Sequence, residues 1–142
     1  MAPSPLRTQI TQLRVIQMML LVTVILFCVF VKSLQPTNAM TRPVNTALIL
    51  IGALDGAAAL GLRGKYFGPA ESAVRENPAD MKAVLRWRKL TIACLILAYS
   101  LGVYGFALAM VGAQRIEFLA FFAVSILLLL FWTPRLDVPA GL

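Results

Sequence analysis

Four apolar runs, each close to the length of a bilayer-crossing helix, dominate this chain and leave lipid as the solvent for most of it. They cover residues 15–31, 44–62, 90–111 and 116–132. A helix needs about 20 apolar residues to cross roughly 30 Å of hydrocarbon, with about 17 at the short end. The runs are continuous rather than alternating, which argues against strands, and a membrane barrel needs at least about eight strands. With 60% of its 142 residues hydrophobic, the chain carries more apolar surface than a water-soluble domain of this size can bury. The expected fold is therefore all-α. It is a polytopic membrane protein with four transmembrane helices in an up-down bundle, a single domain over residues 1–142 with an inner loop at 63–89.

The net charge of +7 could signal nucleic acid, but the placement of the cations reads differently. Four spans put the two termini and the middle loop on one face. Arg7, Arg14, Arg63, Lys65, Arg75, Lys82, Arg86, Arg88, Lys89 and Arg135 fall there, against Lys32, Arg42 and Arg115 on the other. Lys and Arg concentrate on cytoplasmic loops, so both termini are expected in the cytoplasm, as in a multi-pass protein of a bacterial inner membrane. The basic balance then serves orientation and headgroup contact. The expected partners are the lipid bilayer and other membrane subunits or further copies of the chain, with no nucleic acid.

The first run is longer than the apolar core of a signal peptide, and no small-x-small cleavage site follows Lys32, so it is expected to stay as an anchor. The two cysteines, Cys28 and Cys94, fall near opposite ends of their helices, roughly 13 Å apart in depth and too far for a disulfide. The chain has no histidine, the commonest ligand of haem and transition metals. No cofactor and no metal site are expected.

Helix punctuation refines the outline. Ser4-Pro5 has the form of an N-cap with proline at the first helical position, so the first helix starts before the membrane. Gln35-Pro36-Thr37-Asn38 reads as a turn. Asn77-Pro78-Ala79-Asp80 reads as a second cap, with Asn77 capping a helix that starts at Pro78 and continues into the third run. The basic stretch there, Arg86, Trp87, Arg88 and Lys89, is expected to anchor at the headgroups, with Trp132 on the same face. In the second run Gly52 and Gly56 form a GxxxG spacing, and Gly61 pairs with Ala57, a pattern that allows close helix approach. The fourth run, bulky on all sides, is expected to face lipid.

Asp55 stands alone as a carboxylate inside the second run. An ionisable side chain at that depth is costly and by default marks function or a specific partner. Counting inward from the cytoplasmic ends places Thr23, Tyr99, Ser100 and Ser125 within about one helical turn of its depth. Those hydroxyls are the expected hydrogen-bond partners, since a carboxyl in hydrocarbon must be satisfied. Two roles follow for the cluster of Asp55, Thr23, Tyr99, Ser100 and Ser125: polar glue between helices, or a proton or sodium site.

The third run, Ala98-Tyr99-Ser100-Leu101-Gly102-Val103-Tyr104-Gly105-Phe106-Ala107-Leu108, resembles the ion-carrying helix of rotary ATPase proteolipid c subunits and the third helix of uncharacterised four-span bacterial membrane proteins. Ser100 stands near where the proteolipid carries its carboxylate. The resemblance implies ion carriage provided that Asp55 supplies the acid from the neighbouring helix. The second run lacks the regular glycine repeat of the proteolipid's other helix.

No enzyme pattern is present. Without histidine there is no common triad or zinc site, and no phosphate-binding, dinucleotide-binding or nucleophile-elbow motif occurs. Glu71, Glu76 and Asp80 alternate with Arg75 and Lys82 as on a solvated helix face. The expected role is a non-catalytic integral subunit of a larger membrane assembly, with Asp55 as glue. The alternative is a proteolipid-like translocator of protons or sodium. A third class is a small multidrug-type antiporter, although those proteins carry their acid in the first helix.

Overall fold

The computed structural model describes residues 5–33 and 42–132, all of them helical or in short connections. Helix α1 spans Pro5–Ser33 and α2 spans Arg42–Leu62. A π-helical turn, Arg63–Phe67, leads directly into α3, Gly68–Glu76. Helix α4 runs Met81–Met110 and α5 runs Arg115–Phe131. Three stretches are long and apolar enough to cross a membrane: Leu6–Ser33, Pro43–Glu76 and Met81–Met110. Helix α5, with 17 residues, is about 25 Å long and packs as the fourth member of the bundle. The expected Ser4 cap, the Gln35-Pro36-Thr37-Asn38 turn and the cation at Arg135 lie outside the described residues.

Helix α4 is the hub. It packs against α5, α2 and α1, while α1 also packs on α5 and α2 makes no comparable contact with α1. Two glycines of α4 make this possible. A Cβ on Gly102 would lie 2.8 Å from a Val24 methyl, and one on Gly105 would lie 3.1 Å from the Phe118 carbonyl oxygen. The α4–α5 connection is correspondingly tight, with Gly112 at φ 78° making the turn, a left-handed conformation that glycine adopts without steric cost. Gln114 then caps α5 reciprocally with Glu117. Instead of facing lipid on all sides, α5 buries Phe122, Ser125 and Leu129, one stripe at i, i+3, i+7, and leaves Val124, Leu127, Leu130 and Phe131 outside.

The core has two storeys. The main one joins Val24 and Val31 of α1, Ala59 of α2, Cys94, Leu95 and Ala98 of α4, and Phe122 and Leu129 of α5. Cys28 and Cys94 are both free thiols. The second storey lies where the helices extend past the apolar runs: Leu6, Ile10 and Leu13 meet Ala70 and Val74 of α3 and Val84 and Trp87 of α4. The inner loop is thus a packed cap. Its signal in the sequence is the spacing Phe67, Ala70, Val74, which carries one apolar face from the end of the π-turn through α3.

Two expectations about this cap are corrected. The helix start lies three residues later than Asn77-Pro78 implied: Asn77 ends α3, Pro78 and Ala79 form a turn, and the Asp80 carboxylate caps α4 by accepting from the Lys82 N–H at 2.9 Å. Proline still fits where no amide hydrogen is needed, but Asp80, one step before Met81, holds the cap. Trp87 does not offer its ring to the headgroups. It is 1% exposed inside the second storey, because the α1 extension and α3 cover that face of α4. Trp132 is likewise tucked in, with the Arg63 guanidinium 5.1 Å from its ring and 4.7 Å from that of Phe67. The π-turn that presents Arg63 has a local cause. Pro69 has no N–H to give the Lys65 carbonyl, so the regular i→i−4 ladder cannot run through.

Candidate functional site

Antiparallel packing of α2 on α4 brings Asp55 to Ser100, whose hydroxyl lies 3.2 Å from the carboxylate Oδ2. Gly56, next in sequence, faces Leu101 of α4, but a Cβ there would rest 3.7 Å away, an ordinary contact, so the approach does not depend on this glycine. The Tyr104 hydroxyl also lies near the Asp55 side chain. Ser100 and Tyr104 are i, i+4 on α4 and so share a face.

Of the four hydroxyls matched to Asp55 by depth, Ser100 alone reaches it. Thr23 turns back on its own helix and donates to the Met19 carbonyl at 2.9 Å. Ser125 is fully buried and donates to the Ala98 carbonyl at 2.7 Å, joining α5 to α4. Tyr99 points toward α1, its ring centroid 6.5 Å from that of Phe27. Common depth is therefore insufficient, since residues at one level of a bundle face different neighbours. Tyr104 escaped the depth count because side chains lean toward the helix N-terminus, and a tyrosine is long enough to span one turn.

The expected packing glycines divide in the same way. Gly52 is buried with the Phe121 ring where its side chain would be, and Gly56 meets Leu101, but Gly61 faces open space. Arg86 and Lys89 are exposed and Arg88 is half-buried, as headgroup anchors can be, whereas Trp87 and Trp132 point inward.

Among the described residues the carboxylate is poorly supplied. Ser100 has one hydroxyl hydrogen and two acceptors, the Leu97 carbonyl at 2.8 Å and Asp55 at 3.2 Å. A carboxylate offers about four acceptor sites, so a share of the Ser100 hydrogen, with the Tyr104 hydroxyl nearby, leaves capacity unused. Asp55, Ser100 and Tyr104 are all half-buried. Beside them on α4, Ile96 and Val103 are uncovered, 55% and 39% exposed. On α2, Leu50, Ile51 and Leu54 are also bare. Among the described residues no three Cys, Asp or Glu side chains gather as a metal set. No protein-family model, no curated protein and no solved structure matches this chain.

Proposed function

We propose that this chain is a non-catalytic integral membrane subunit with four spans and both termini in the cytoplasm, and that the face around Asp55 is where a further transmembrane helix docks in a larger assembly. The observation that carries this reading is the half-buried, under-supplied Asp55 carboxylate beside an uncovered stripe of α4. At mid-bilayer a polar group without its full set of hydrogen bonds is unfavourable, and a donor from another helix is the available remedy. The hub arrangement supports the same reading, since α1 and α2 both lean on α4 without closing over it.

The alternative, carriage of protons or sodium by Asp55, draws support from the two hydroxyls that line the carboxylate on α4. One preparation separates the two readings. Purification from native membranes in mild detergent, followed by mass analysis, should give a stoichiometric assembly of this chain with other membrane subunits or with itself, and Asp55→Leu should loosen it. A monomer from membranes that retain other intact complexes would overturn the subunit reading.

A further inference from the structure

The opposite side of α4's inner extension carries a second site-like feature. Lys82, Arg86 and Lys89 follow one another at i, i+4, i+7 and form a single basic stripe. Trp87 and Val84 turn the other way into the second-storey core, so that core holds the stripe rigidly outward. With Leu85, Leu90 and Tyr66 the three cations line a groove of about 420 Å³. Lys65, next to Tyr66, adds a fourth cation, its ammonium 5.5 Å from the Tyr66 ring. Among the described residues none of Lys82, Arg86 and Lys89 has an acidic partner. Asp80 is engaged with the Lys82 backbone N–H, and Glu71 is paired with Arg75 at 2.7 Å.

Depth decides what this groove meets. The Asp55–Ser100 contact registers α2 against α4, and both Tyr66 and Lys89 lie eleven residues from it along their own helices. At 1.5 Å per residue both fall about 16 Å from that plane, at the edge of a hydrocarbon core roughly 30 Å thick. Leu90 and Tyr66 give the groove an apolar wall near the level of the upper acyl chain, while Arg86 and Lys89, about 21 and 16 Å from the plane, stand near the phosphates and Lys82 lies farther out.

We propose that this groove is a binding site for an anionic phospholipid of the inner leaflet. The phosphodiester is held by Arg86 and Lys89, Lys82 reaches the outer part of the headgroup, and the first acyl segment lies along Leu90 and Tyr66. Basic pockets at the cytoplasmic ends of transmembrane helices take such headgroups, and Arg in particular offers a fork that matches phosphate oxygens. A zwitterionic lipid supplies the same acyl chain but brings its own cation, which the stripe repels.

The test uses the full chain in mild detergent, titrated separately with phosphatidylglycerol and phosphatidylcholine and read by native mass spectrometry. Phosphatidylglycerol should bind as one preferred equivalent and phosphatidylcholine without preference. Arg86→Gln/Lys89→Gln should lower phosphatidylglycerol affinity roughly tenfold or more, at about a factor of five per cation. Arg7→Gln/Arg14→Gln removes the same charge from α1 and should change affinity less than about twofold. Both pairs are exposed, so helix content by circular dichroism should stay that of the parent; were the α4 pair to misfold, Arg86→Gln and Lys89→Gln singly should each give about a fivefold loss. Equal losses for the two pairs would reduce the effect to general attraction to a charged surface and overturn the site. Displacement of the lipid by millimolar inorganic phosphate would also overturn it, as would binding indifferent to the α4 pair.

Discussion

Gly102 of α4 and Ser125 of α5 face each other so closely that a Cβ on the glycine would lie 3.1 Å from the serine Oγ. That hydroxyl is already committed to the Ala98 carbonyl one turn below. Fully buried Val24 closes the other side. Three helices thus meet at one hydrogen atom. In lipid, where apolar side chains gain nothing by leaving hydrocarbon, this fit and the interhelical hydrogen bond supply much of the association.

Gly102→Ala should therefore destabilise the bundle by about 1 to 3 kcal/mol, because neither Val24 nor Ser125 has room to retreat. Gly61→Ala, placed into open space on α2, should cost nothing measurable. Unfolding of the two variants by denaturant in detergent micelles makes the comparison, and equal effects would contradict the packing described.

The α4 cap gives an equally direct contrast. Asp80→Ala should cost about 1 kcal/mol by freeing the Lys82 N–H, while Asn77→Ala should have a smaller effect. Amide exchange at residues 81–84 should quicken for the first variant and not for the second.

Asp55 separates glue from ion carriage. Asp55→Asn retains an acceptor for Ser100, so assembly should persist. Asp55→Leu should weaken it by about 1 to 2 kcal/mol. Proton or sodium movement in reconstituted vesicles should be the same for the parent and Asp55→Asn. An Asn variant that assembles fully yet abolishes a measurable flux would establish the translocator reading instead.

Topology can be read from single cysteines in a Cys28→Ala/Cys94→Ala background. A membrane-impermeant maleimide should reach Ser72→Cys on α3 from the cytoplasmic side and Arg115→Cys at the start of α5 from the other. Labelling of both from one side would rule out the four-span arrangement.

The helical architecture and the length of its apolar runs were legible from the sequence, because backbone groups in hydrocarbon must bond within their own helix and the requirement is met residue by residue along the chain. Asp55 and the depth of Ser100 were legible for the same reason, since depth follows from a fixed rise per residue. Which neighbour each side chain meets was decided by tertiary packing. Tyr99 and Ser125 lie near the level of Asp55 yet answer to Phe27 and Ala98, and Tyr104 approaches it from the next turn; Thr23 alone bonds locally, to Met19 of its own helix. Trp87 followed the same logic: its sequence neighbours are cations suited to headgroups, but rotation about α4 turns it into a core built by residues far along the chain. Composition sets the solvent and the helix, whereas azimuth around each helix is set by contacts between distant segments, and no single run of sequence contains both partners.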